Sequence, residues 1–199
     1  MEPVKYLLLV GVLLLSFTVS GQYSDRVLKA FEESYLAEKT GDYKKAASFL
    51  KESYLDDSYE FNLRLGWLAF KAGQLDESKI YYRKALALLP YSEEAKFGLI
   101  LPLAAKGEWN EVIRNYNLIL ENNPGNTVAL YRLGMVYYDR KEWEQSARCF
   151  QKVVDLYPFD YDGLLMLAWT NLQLGKIREA KILFNKVILW NPGDKSAME

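Results

Sequence analysis

The sequence contains no histidine and a single cysteine, Cys149. The first absence removes the Ser-His-Asp and Cys-His nucleophile arrangements, the commonest general base and every histidine-containing metal site. The second leaves no intramolecular disulfide and no multi-cysteine zinc or iron–sulfur centre. Charge of one sign is also missing: 25 Lys and Arg face 26 Asp and Glu, a net charge of -1. A chain without a basic surplus is poorly suited to neutralise a phosphate backbone, so nucleic acid is not the expected partner. Glycine-rich phosphate motifs and asparagine glycosylation sequons are absent. The acidic pairs Glu32-Glu33, Asp56-Asp57 and Glu93-Glu94 are sequence neighbours, about 100° apart on a helix, so they do not converge on a metal or a substrate. The sequence thus predicts no catalytic residue, no metal site and no cofactor.

What is present is apolar: half of the 199 residues are hydrophobic and 15% are aromatic, enough to bury a core. Residues 1–21 read as a secretory signal. Lys5 supplies the positive start, Tyr6 to Val19 is an apolar run, and Ser20-Gly21-Gln22 offers small residues for cleavage. A spanning helix needs about 20 apolar residues, and this run has 14, so cleavage is expected rather than a stable membrane span; retention as an anchor is the alternative. No cysteine follows the run, which excludes a lipoprotein anchor. Cys149 falls in a helical stretch and reads as a small core residue.

Pro90, Pro124, Pro158 and Pro192 are evenly spaced. Gly73, Gly107 and Gly175 lie half a period before three of them, with Lys141 in that place before Pro158. A fixed period of this length, about 34 residues, marks a stacked repeat protein. Within 127–160, Leu130, Leu133, Gly134 and Tyr137 share one helical face, and Trp143, Ala147, Phe150 and Val153 share another after the turn at Lys141. Proline then stops the second helix, having no N–H to continue the ladder.

These positions resemble the tetratricopeptide repeat (TPR) family. The resemblance is carried by Leu65-Gly66, Gly73, Tyr82, Ala85 and Pro90 in 59–92, and by Leu164, Leu167-Ala168, Gly175, Ala180, Phe184 and Pro192 in 161–194. It is weaker in 93–126, where Leu99-Ile100, Val112 and Ile119 replace small residues. In 27–58, two residues short, Gly41-Asp42-Tyr43 and Ala46 carry it. It implies an all-α fold, a right-handed solenoid of about five helix-turn-helix units (27–58, 59–92, 93–126, 127–160, 161–194) after a short lead, 22–26, and before a tail, 195–199. Pro102, inside the first helix of the third unit, predicts a kink.

The resemblance further implies a concave surface lined by the first helix of each unit, used by the family to bind proteins or peptides. The residues placed there are Phe31, Tyr35, Leu63, Trp67, Phe70, Phe97, Leu101, Tyr131, Met135, Tyr138, Leu165, Trp169 and Leu172. They are largely apolar and aromatic, the composition of interface anchors, and the Lys-Asn-Arg clamp of chaperone-tail binders is absent. The expectation is therefore a non-catalytic scaffold or adaptor, exported to the periplasm or cell envelope of a bacterium, holding an apolar or amphipathic segment of a partner protein. The alternative is a homo-oligomeric structural subunit associating end-on through Phe184, Val187, Ile188 and Trp190, because no polar capping helix follows the last unit.

Overall fold

A computed structural model describes residues 23–198; the expected signal segment lies outside them. The described residues form helices in antiparallel pairs: α1 (Asp25–Lys39) with α2 (Tyr43–Lys51), α3 (Tyr59–Lys71) with α4 (Leu75–Leu88), and α5 (Glu93–Ala105) with α6 (Trp109–Asn122). They continue with α7 (Thr127–Asp139) and α8 (Trp143–Leu156), α9 (Tyr161–Gln173) and α10 (Ile177–Trp190), and end on α11 (Lys195–Met198). No strand occurs among the described residues. The chain is an all-α solenoid of helix-turn-helix units, and each pair buries its apolar faces against itself and its neighbours. Among the described residues no helix is long and apolar enough to cross a membrane.

The turn inside each pair closes the first helix with a left-handed residue. Gly41, Gly73, Gly107 and Gly175 have φ between 72° and 80°. The N–H after each reaches back to the carbonyl five residues earlier, as in Gln74 to Ala69 at 2.8 Å and Lys176 to Asn171 at 2.9 Å. Lys141 makes the same turn with φ 59° although it carries a side chain. Left-handed backbone costs an L-residue about 1–2 kcal/mol, and glycine's greater unfolded-state freedom returns part of that. Lys141→Gly is expected to raise stability by about 0.5–1 kcal/mol, read as a higher urea midpoint.

The junction between pairs is fixed by a second register. Ser58, Ser92, Asn126, Asp160 and Asp194 recur with the same period as the prolines. Each accepts a hydrogen bond from the backbone N–H three residues on, at 3.4, 3.0, 2.9, 2.7 and 3.0 Å. This is side-chain capping of a helix start. Residues 195–198, expected as a tail, are therefore helical: Asp194 caps α11, and Ala197 is buried in the last core cluster.

Two local expectations are corrected, and Pro102 is placed. The first helix starts at Asp25, two residues before 27, and the shortfall of the first unit lies behind its turn, where α2 has 9 residues against 14 in α4. Pro102 lies inside α5, which runs on to Ala105, and its ring is buried in the core. In α8 the residue packed at the crossing is Ser146 rather than Ala147. Ser146 is fully buried and its hydroxyl donates to the Gly134 carbonyl at 3.0 Å, as Ser78 donates to Gly66 at 2.7 Å. A serine takes an alanine's place there because the carbonyl opposite satisfies its hydroxyl.

Candidate functional site

The first helices of consecutive pairs stand side by side, so residues at equal depth in α1, α3, α5 and α7 face one hollow. The hollow is a groove of about 750 Å³ lined by Phe31, Tyr35, Tyr59, Glu60, Leu63, Arg64, Trp67, Tyr82, Glu94, Phe97, Gly98, Leu101 and Arg132. Phe31, Tyr35, Leu63, Trp67, Phe97 and Leu101 belong to the surface expected from the repeat. Tyr59, Arg64, Tyr82, Gly98 and Arg132 do not.

Charge in the groove is held in a defined place. Arg64 donates from Nη2 to Glu38 Oε2, and Trp67 donates its indole N–H to Glu38 Oε1 at 2.6 Å. The Arg64 guanidinium lies 4.0 Å from the centre of the Tyr35 ring, a cation–π contact. Its Nε is buried with no hydrogen-bond partner among the described residues. Burial pushes the Glu38 carboxyl up, but hydrogen bonds from Arg64 and Trp67 outweigh it and hold the group below the ordinary glutamate range. A carboxylate depressed in the folded state contributes stability above its unfolded pKa and loses it as pH falls through the folded value. The wall of the groove formed by Tyr35, Arg64 and Trp67 is therefore expected to loosen in acid, below the ordinary glutamate range. The sign is a tryptophan fluorescence change on acidification that Glu38→Gln abolishes. At neutral pH that variant is expected to cost about 1–2 kcal/mol, because Arg64 keeps a charge without its counter-ion.

Beneath the aromatics the floor is set by Tyr82. Its ring comes from α4 and rests on Gly66 of α3 and Gly98 of α5. It is 3% exposed, and burial raises its phenol pKa above the ordinary range. Phe150 occupies the matching place two units on, with its ring against Gly134.

The remaining residues of the expected surface lie outside this hollow. Tyr131 and Met135 of α7 and Leu165 of α9 are half-buried against the last core cluster, Tyr131 with its ring 5.5 Å from Phe150. Phe70 tilts against Trp67, and Tyr138 meets Trp143 edge-on at 4.9 Å. Trp169 and Leu172 line a separate hollow of about 700 Å³ with Phe184, Ile188 and α11. Trp169 donates to Ser196 Oγ at 3.2 Å and meets Phe184 edge-on. The end-on set is corrected in one member: Val187 is fully buried in the core and offers no surface. Phe184 and Ile188 face the second hollow, and Trp190 is exposed beside Tyr161. Cys149 is buried, and desolvation pushes its thiol up to about 11, far from thiolate chemistry.

The sequence does carry a signal for some of the residues outside the expected set. Arg64, Gly98 and Arg132 share one position of the repeat, so they occupy one depth in α3, α5 and α7. No signal in the sequence places Tyr82, which reaches the groove from a second helix through the gap that two glycines leave.

Residues 75–195 match the family described as EMC2 TPR-like repeat domain, and residues 59–90 match a tetratricopeptide repeat. Among characterised relatives, the chain is 24% identical over 110 residues to Protein O-mannosyl-transferase Tmtc3 of Drosophila melanogaster. That match covers 55% of this chain and 12% of that protein. It is 25% identical over 146 residues to Type IV pilus assembly protein PilF of Pseudomonas aeruginosa, covering 71% of this chain and 57% of that protein. The chain therefore spans only part of the length of these relatives. Among solved structures, it is similar to a tetratricopeptide repeat protein from Parabacteroides merdae, with a TM-score of 0.75 at 24% identity, covering 86% of this chain and 69% of that one.

Proposed function

Because the chain belongs to the tetratricopeptide repeat family, we propose that it is a non-catalytic protein-interaction scaffold of the bacterial envelope, holding an apolar or amphipathic segment of a partner in the groove over α1, α3, α5 and α7. One observation carries the reading. Apolar and aromatic side chains from three consecutive first helices meet in one hollow, while Glu60, Glu94 and Arg132 add charge to its lining. Buried aromatic anchors with a polar surround are the anatomy of a binding hot spot. A segment with apolar residues at helical spacing fills such a groove and leaves its polar face to water. The envelope location is supported by the signal-like residues 1–21 and by the likeness to a pilus assembly protein.

The test is affinity capture from the envelope fraction with tagged protein, beside Trp67→Asp and Leu101→Asp. Trp67 also supports Glu38, so Leu101, farther along the groove, separates lost contact from lost scaffold. A protein retained by the wild type is expected to lose at least ~tenfold in affinity with either variant, both remaining helical. Equal retention by all three would remove the groove from the binding surface.

A further inference from the structure

The loops joining one helix pair to the next lie along a single edge of the solenoid, and two of them are tipped with large apolar residues. Leu88-Leu89-Pro90-Tyr91 runs out of the end of α4, and Leu156-Tyr157-Pro158-Phe159 out of the end of α8. Tyr91 is 75% exposed, Phe159 72% and Tyr157 59%. At the end of α10, on the same edge, Leu189 is 83% exposed and Trp190 60%.

The turn itself does not require them. Leu89, Asn123, Tyr157 and Asn191 end their helices with nearly the same backbone, φ between -132° and -137° and ψ between 81° and 88°. The loop after α6 makes this turn with Asn122-Asn123-Pro124-Gly125. Asparagine and glycine suffice for this turn, so its backbone does not require the exposed Leu, Tyr and Phe.

These residues project from loop tips instead of lining a hollow, which suits a planar partner better than a peptide. Tyr, Trp, Phe and Leu are the residues that settle at the boundary between lipid headgroups and acyl chains. Neither 88–92 nor 156–160 contains a lysine or arginine, so attraction to anionic headgroups is no part of the fit.

The chain also enters the solenoid at this edge. The Tyr23 hydroxyl contacts Ser58 Oγ at 3.2 Å and Glu60 Oε2 at 2.6 Å, beside the first of the inter-pair loops. The apolar run Tyr6–Val19 ends four residues earlier, and four residues reach at most about 14 Å. In the alternative in which residues 6–19 are kept as an anchor, the short link to Tyr23 brings this edge to the bilayer first.

We propose that the inter-pair loop edge, through Tyr91, Tyr157, Phe159 and Trp190, seats the solenoid against the interfacial layer of a zwitterionic phospholipid bilayer. The surface is separate from the groove, so a scaffold docked this way keeps its groove free.

The test uses the full chain carrying Cys149→Ala, with Tyr91→Cys, Phe159→Cys or Gln74→Cys added singly and labelled with an environment-sensitive fluorophore. Gln74 lies in an intra-pair turn on the opposite edge. With phosphatidylcholine vesicles, the labels at 91 and 159 are expected to brighten and shift to the blue, and headgroup-region quenchers should reach them better than chain-centre quenchers. The label at 74 should not change. Tyr91→Ser with Phe159→Ser is expected to lower vesicle partitioning ~tenfold, with circular dichroism unchanged, while Trp67→Asp leaves it as it was. Labels at 91 and 159 that stay silent with vesicles overturn the proposal, even if residues 6–19 tether the chain. Brightening that follows protein concentration without vesicles also overturns it, and assigns the edge to a second copy of the chain.

Discussion

Replacing Phe150 with alanine is expected to cost about 3–5 kcal/mol. The ring is fully buried, meets Tyr131 edge-on, and belongs to the core cluster that joins α8 to α9 and α10 through Leu164, Leu167 and Val187. The cost has two parts, transfer of the ring out of water and the cavity left behind. The cavity closes poorly here, because Gly134 opposite has no side chain to move into it. In a linear array each unit is held by its neighbours alone, so the damage is local. Amide exchange should quicken first in α7 to α10, while α1, α2 and α3, packed on a different cluster around Phe61 and Leu65, keep their protection. Uniform loss of protection over α1 to α10 would show instead that the solenoid unfolds as one unit.

That separation into clusters follows from a repeat that is legible in the sequence, and the limits of legibility are physical too. The prolines and turn glycines can be read because each has a backbone role that few residues fill: a stop to the ladder, and a left-handed turn. Lys141 is legible only by its place in the register, since nothing about lysine predicts φ 59°. The capping register Ser58, Ser92, Asn126, Asp160, Asp194 has the same period but three residue types, and what unites them is one accepting oxygen, not size or hydropathy. Ala147 is the residue that size and hydropathy favour at the α8 crossing. Ser146 takes it instead, because a hydroxyl looks foreign to a core until the Gly134 carbonyl that satisfies it is placed opposite.

The proposed binding surface is half legible for a related reason. Register assigns depth along a helix, so Phe31, Leu63 and Phe97 line the same hollow. Register does not say how closely neighbouring first helices stand. At α7 and α9 the same positions, Tyr131, Met135 and Leu165, are half-buried against the last core cluster, as Phe31, Leu63 and Phe97 are against theirs, but they do not line this hollow. The exposed loops Leu88–Tyr91 and Leu156–Phe159 are hidden for another reason. Only their prolines repeat, and the residues beside them differ from loop to loop, so the period carries no information about them.

Gly98→Val joins the fold to the groove, and is expected to cost about 3 kcal/mol. A Cβ at this position would lie 2.5 Å from Tyr82 Cζ and 2.8 Å from Cδ1, inside any real contact, and valine adds two methyl groups. Withdrawal toward α3 is limited, because the other side of the ring already lies close over Gly66. Relief therefore requires α5 to move from α4, opening the core around Leu99, Leu103 and Val112. Tyr82→Leu beside Gly98→Val should recover part of the loss, a coupling of about 1–2 kcal/mol in a double-mutant cycle. Additive losses would mean that Gly98 acts through backbone freedom and not through the ring. Since Tyr82 and Gly98 also line the groove between Trp67 and Phe97, the double variant should fold with an altered floor. A partner captured through the groove is then expected to bind more weakly to a protein whose stability is largely regained, which separates the shape of the groove from the stability of the array that builds it.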